Sequence, residues 1–287
     1  MKKYLAEFVG TFMIVFMAAG SLVADVYLSS FRVTDSFGPL GLALAYGLAV
    51  TVAVAAFGRI SGGHFNPAIS FAAFLSRRLP GGELVGYVGG QLSGALVAGG
   101  FVRALMPERP YQFVGGGAPG VGEGVTLLQA VGVEIVLTFF LALAVWAVGV
   151  DRRARPALAP VAVGLVVVAG VIAGGSFSGG AMNPARWIGP ALVAGAFKNW
   201  PVWIIGPLLG ATLGSLLYET FFLDEPEGMR AAKRSPVAPA SEPEEGEAGG
   251  AGEMSADEHE AVITPTRPPE PPPMAPRPPE PPSPPEA

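Results

Sequence analysis

Cysteine is missing from all 287 residues, and histidine is nearly so, with His64 and His259 the only two. The first absence removes disulfides, thiol nucleophiles and cysteine-held metals; the second leaves too few imidazoles for a histidine metal cage. No nucleophile stands in a pairing with a base, so catalysis is not expected, nor is any cofactor or metal. Charge is also scarce, at 14% of residues against 51% hydrophobic, which excludes an ordinary soluble domain and fits a chain that crosses a membrane several times. No nucleic-acid partner is expected. The charge present is unevenly placed. Up to Phe222 there are 13 Lys and Arg against 9 Asp and Glu, and from Leu223 onward 5 against 14, so the net charge of −5 belongs mostly to the tail.

What the chain does have is a duplicated stretch. Residues 61–68, Ser-Gly-Gly-His-Phe-Asn-Pro-Ala, return at 178–185 as Ser-Gly-Gly-Ala-Met-Asn-Pro-Ala. In both copies an asparagine can cap a helix whose first residue is proline, where the missing N–H costs nothing. Asn66, Pro67 and Ala68 therefore open one short helix, and Asn183, Pro184 and Ala185 another. The echo extends further, because Glu7-Phe-Val-Gly-Thr11 is matched in outline by Glu134-Ile-Val-Leu-Thr138. For that reason the amino-terminal apolar segment reads as a retained span and not as a cleaved signal peptide.

Apolar stretches of roughly 20 residues, enough to cross a bilayer, fall at 4–27 and at about 38–58, 83–106, 125–149, 157–175 and 199–222. The pieces from Pro67 to about Leu75 and from Pro184 to about Val193 are too short to span and read as re-entrant half-helices. The expected fold is thus an all-α membrane protein of six transmembrane helices plus two half-helices. It is arranged as an inverted repeat of residues of about 1–110 and 120–222, because three spans per half turn the second half upside down. With six spans, Lys2, Lys3, Arg77, Arg78, Arg152, Arg153, Arg155, Arg230, Lys233 and Arg234 share one side, and Arg32, Arg109 and Lys198 the other. That bias puts both termini in the cytoplasm. Glycines four apart, at 86, 90, 94 and at 206, 210, 214, suit close helix approach. Residues 223–287 form a second region, an acidic and then Pro-dense tail with too little apolar content for a core and an expectation of disorder. Its proline run resembles ligands of proline-recognising modules.

Non-helical backbone at membrane depth is tolerated where it lines a wet cavity, and here residues 61–65 and 177–182 must be such backbone. Their carbonyls can serve as a ladder of acceptors, while Asn66 and Asn183 cap the half-helices through oxygen and offer their NH₂ groups to the lumen. Two opposed helix amino ends make the midplane positive and repel cations and hydronium. Arg186, directly after the second Asn-Pro-Ala, is an ionisable side chain inside an apolar stretch and belongs to the pore. Glu7, Glu134 and His64 are expected to support the irregular loops.

Together these residues resemble the aquaporin, or major intrinsic protein, family over residues 4–222. The resemblance rests on both Asn-Pro-Ala boxes, the following Arg186, the paired Glu-x-x-x-Thr openings and the Gly-His-x-Asn-Pro-Ala context. It implies a right-handed six-span bundle in the plasma membrane, a homotetramer with one pore per subunit, and passive diffusion of water and small neutral solutes. It also assigns Tyr46, Val171, Gly180 and Arg186 to a selective constriction. That set matches neither the Phe and His of typical water channels nor the Trp, Gly and Phe of glycerol facilitators, and Trp187 stands where the latter usually carry Asp. Ala191 is of the water type and Ile204 of the solute type. Glycerol therefore leads the non-water candidates, ahead of urea, ammonia, peroxide and metalloid hydroxides. A strictly water-selective channel, an ion-coupled secondary transporter using Glu7 or Glu134, and a scaffold acting through its tail are the alternatives.

Overall fold

The computed structural model describes residues 1–30 and 36–223. The expectations placed on the tail, and the position of Arg32, lie outside them. Contacts group Met1–Ala231 as one compact unit, and Ala232–Ala287 lies wholly beyond the described residues. Among the described residues nine α-helices are found, α1 Lys2–Ser30, α2 Gly38–Ser61, α3 Pro67–Leu75, α4 Gly81–Leu105, α5 Glu108–Phe113, α6 Leu127–Val145, α7 Ala159–Ser178, α8 Pro184–Ala194 and α9 Pro201–Phe221. Helices α1, α2, α4, α6, α7 and α9 are long and apolar enough to cross a membrane, α6 together with the π-turn Trp146–Val150 that continues it and α7 with the short turn Pro156–Leu158 that precedes it. The all-α architecture of six spans and shorter half-helices is the expected one. Helix α5 and the tight turn Gly115–Gly117 after it had no counterpart in the sequence reading.

Each half packs in the same way. Helix α1 lies on α4 and α6 lies on α9, and glycine permits the approach: a Cβ at Gly94 would stand 2.3 Å from the Phe8 carbonyl, and one at Gly210 would stand 2.3 Å from that of Ile135. Outward faces carry Leu44, Leu48, Val52, Leu165, Ile172 and Leu213, all exposed, as a lipid-facing surface requires. The principal buried cluster joins Ile14, Val50, Ile69, Leu141 and Val167 from five different helices, so the centre is built jointly by the two halves.

Both helices that lead into the repeats run further than apolarity alone suggests, to Ser61 and Ser178. They stop on left-handed glycines, Gly62 at φ 87° and Gly179 at φ 81°, each N–H returning to the carbonyl four residues back. This is the αL helix ending, and it moves the start of the irregular backbone to Gly62 and Gly179. At the end of α6, Trp146 donates its indole N–H to Glu219 of α9 at 2.8 Å, and Arg78 pairs with the same carboxylate. Nearby Asp151 accepts from Arg153 at 2.6 Å and from the Tyr218 hydroxyl at 3.0 Å. The Arg153 guanidinium, with the Arg153 backbone N–H, holds the Asp151 carboxyl well below the usual carboxylate range, so this clasp persists through mildly acidic conditions.

Candidate functional site

Two short helices meet end to end. Asn66 caps α3 by accepting from the Ala68 N–H at 2.9 Å, and Asn183 caps α8 by accepting from the Ala185 N–H at 3.0 Å. The same side chains then reach across the repeat. Asn66 Nδ2 donates to the Met182 carbonyl at 2.7 Å, and Asn183 Nδ2 donates to the Phe65 carbonyl at 2.9 Å. One proton of each amide is thereby spent on the opposite loop and the second is left over, which narrows the sequence expectation that both would serve the lumen. The carbonyls come from strained residues, since Phe65 has φ 46° and Met182 φ 52°. Left-handed backbone costs about 1–2 kcal/mol at a non-glycine residue, and the crossed amide bonds offset it.

Each loop is held by one carboxylate. Glu7, fully buried, accepts from Ser61 Oγ at 2.6 Å, His64 N at 3.1 Å, Phe65 N at 2.6 Å and Gln91 Nε2 at 2.7 Å. Glu134 accepts from Ser178 Oγ at 2.8 Å, Ala181 N at 2.8 Å and Met182 N at 2.7 Å. Backbone donors that helix or sheet would satisfy elsewhere are paired here by an acceptor-only group. A second pair of supports was missed by the sequence reading: the Tyr87 hydroxyl donates to the Ser61 carbonyl at 2.6 Å, and Trp203 Nε1 donates to the Ser178 carbonyl at 2.7 Å. Their signal was present, because Tyr87 and Trp203 each precede by three a glycine of the spaced sets, Gly90 and Gly206.

Above and below the asparagines lie two cavities. The one on the Arg186 side, outer on the sidedness expected from the Lys and Arg bias, is about 290 Å³ and is bounded by Ala18, Tyr46, Val171, Gly179 and Arg186 among others. The inner one, about 30 Å³, is bounded by His64, Asn66, Asn183 and a ring of aliphatic side chains including Val50, Leu141 and Val167. Tyr46 belongs to both walls. Its hydroxyl donates to the Ala181 carbonyl at 2.6 Å, and the Arg186 guanidinium lies 5.9 Å from its ring centre. The structure thus brings Tyr46, Val171 and Arg186 to one cavity, whereas Gly180 is not among the residues that bound it. A Cβ at Gly180 would meet the Val171 Cα at 3.3 Å.

Arg186 is only 6% exposed and is aimed by backbone. Its Nη1 donates to the Gly117 carbonyl at 2.7 Å and its Nη2 to the Ala18 carbonyl at 3.3 Å. Gly117 has φ 78°, and a Cβ there would stand 2.5 Å from the Ala19 carbonyl. Gly117→Ala should therefore displace the turn, cost about 1–2 kcal/mol and loosen the guanidinium. The expected readout is faster glycerol and urea entry into proteoliposomes with a lowered melting temperature; unchanged values of both would show that the turn does not hold Arg186.

Spans, opposed capped half-helices and a cavity on either side of them define a membrane channel of the inverted-repeat kind. A family model described as "Major intrinsic protein" matches residues 1–218, and the chain belongs to that family. It is 37% identical over 227 residues to "Nodulin-26" of Glycine max, an alignment covering 79% of this chain and 80% of the other. It is 36% identical over 233 residues to "Aquaporin TIP2-1" of Arabidopsis thaliana, covering 79% and 90%. Among solved structures, the aquaglyceroporin from Plasmodium falciparum superposes with a TM-score of 0.66 at 23% identity, covering 77% of this chain and 96% of that one; this likeness concerns the fold. The protein is accordingly a multi-pass membrane protein and a passive channel for water or small solutes, and not an enzyme.

Proposed function

We propose that this chain conducts water and small uncharged solutes, glycerol foremost among the latter, and excludes ions and protons. The observation that carries the reading is the pair of crossed asparagine bonds, because they fix two helix amino ends against each other between the cavities. Those ends present partial positive charge to anything passing, which repels cations and hydronium in a poorly hydrated centre. The residual N–H of each amide can hold a central water by its oxygen, orienting the water chains on either side oppositely.

The same reading makes Tyr46, Val171 and Arg186 the outer constriction, with Gly180 leaving room for Val171. Val171 is apolar, and the Tyr46 hydroxyl is spent on Ala181, so the wall facing Arg186 offers carbon to a solute's CH₂ groups while the guanidinium serves its hydroxyls. That amphipathic pairing suits glycerol. Tyr46→Ala should raise glycerol permeability in proteoliposomes by roughly fivefold more than water permeability, about 1 kcal/mol of differential barrier. Equal changes in the two would show that Tyr46 does not size the passage.

The reading also takes residues 1–222 as the channel domain, both termini as cytoplasmic on the Lys and Arg bias, the plasma membrane as location and a homotetramer as assembly. A proline-recognising partner for the tail beyond residue 223 belongs to the same proposal.

A further inference from the structure

The Gly117 carbonyl that receives Arg186 belongs to a turn with little stiffness of its own. Gly115, Gly116 and Gly117 all have positive φ, at 53°, 71° and 78°, backbone that glycine enters as readily as its mirror image. The turn therefore takes its position from what it packs on. One support is Tyr111 of α5, the short helix just before it. Tyr111 is buried among Ala19 and Val23 of α1 and Val102 of α4, with Ala194 of α8 against the same cluster. A Cβ at Gly116 would stand 2.9 Å from the Tyr111 hydroxyl, 3.1 Å from the ring carbon that bears it and 2.8 Å from the Ala194 Cβ. Gly116 is thus packed on both the phenol and the last residue of the helix whose first turn carries Arg186. Gly117, next along, packs as tightly on Ala19 and gives Arg186 Nη1 its acceptor.

The phenol works by shape. Its hydroxyl is buried and finds no hydrogen-bond partner among the described residues, an arrangement that is unfavourable in itself, so hydrogen bonding does not account for the place of this side chain. The Arg103 guanidinium covers the ring at 5.3 Å from its centre and also lies 3.8 Å from Glu108 at the start of α5. Both contacts fasten α5 to α4, and the buried ring carries most of the attachment, because exposed ion pairs contribute little. Tyr111 bounds neither the outer nor the inner cavity. Any influence it has on a permeant is therefore indirect.

We propose that Tyr111 is a positioning residue for Arg186: by filling the space against the Gly115–Gly117 turn it fixes the Gly117 carbonyl, and through that carbonyl the guanidinium that discriminates among solutes. Helix α5, which the apolar pattern did not foretell, then sets selectivity from outside the pore. The effect on permeation rests on the channel reading above; the support of the turn does not.

The test uses the full chain in proteoliposomes. Amide hydrogen exchange over residues 114–118 reads the turn, and light scattering reads urea and water entry. Tyr111→Ala should speed exchange there several-fold and raise the urea-to-water permeability ratio roughly threefold, within the range by which residues away from a site modulate it. Tyr111→Phe, whose ring keeps the contact with Gly116, should match the parent in both; a Phe variant that behaves as the Ala one overturns support by shape. In an Arg186→Val background Tyr111→Ala should leave the ratio where Arg186→Val alone puts it, since residues acting as one are non-additive. A further rise of the same size would show that Tyr111 does not act through Arg186, and so would an unchanged ratio beside faster exchange in the single variant. Unchanged exchange in a folded Tyr111→Ala protein overturns the support itself. Should Tyr111→Ala fail to fold, Tyr111→Leu decides by the same readings. A parent chain that passes neither water nor urea would sink the channel reading, and exchange would still decide whether Tyr111 supports the turn.

Discussion

Glu134→Leu is expected to abolish the folded channel: little protein should survive detergent extraction as a monodisperse species, and what does should melt far below the parent. The substitution strips the acceptor from Ser178 Oγ and from the N–H groups of Ala181 and Met182, all at membrane depth where water does not replace it. Ser178 Oγ keeps a weaker acceptor in the Gly174 carbonyl at 3.4 Å, but the two N–H groups are orphaned; each orphaned buried donor costs about 1–3 kcal/mol, so the pair removes a large part of the roughly 5–15 kcal/mol total stability of a typical folded protein. Glu134→Gln supplies the contrast. One oxygen can still serve Ser178 and Ala181, which share Oε1, but an NH₂ would face the Met182 N–H, so an intermediate loss is expected. A Glu134→Leu protein that melts within a degree or two of the parent and conducts normally would show that the carboxylate is not what holds the loop.

The second large effect is expected at Arg186. Arg186→Val removes the only cation bounding the outer cavity among the described residues and takes the guanidinium from the Gly117 and Ala18 carbonyls. The cavity loses its guanidinium donors and its positive charge. Urea and glycerol entry should rise roughly tenfold, about 1.4 kcal/mol of barrier, with a smaller rise for water and the appearance of a measurable cation leak. Light scattering under solute gradients and a pH-sensitive dye in the same vesicles would report all of these. Solute flux unchanged beside an intact water flux would remove Arg186 from the constriction. The two substitutions remove different hydrogen bonds, since Arg186 donates to the Gly117 and Ala18 carbonyls whereas Glu134 accepts from Ser178, Ala181 and Met182.

Much of this was legible before any coordinates. Spans drawn from apolar length land within a few residues of the helices, and both half-helices begin at Pro67 and Pro184 as their caps require. These features are local: a hydrophobic run long enough to cross, an asparagine before a proline, a glycine that admits φ near 80° at a helix end. The misses were non-local. Gly117 reads only as one of three glycines in a loop, and nothing nearby says that its carbonyl will aim a guanidinium 69 residues away. Gln91 looks like an ordinary polar interruption of an apolar helix until α1 and α4 are seen packed together.

The amino-acid sequence by itself determined the number of crossings, the duplication and its inversion, and which residues carry polar groups into the membrane, because hydropathy length, caps and repeat spacing act over a few turns of chain. Only the tertiary structure decided how those groups are spent. Asn66 meets Met182 across 116 positions, Asn183 meets Phe65 across 118 and Tyr46 meets Ala181 across 135. In a medium without water a buried backbone donor is satisfied only by an acceptor inside the protein, and which one it finds depends on how the two halves close on each other.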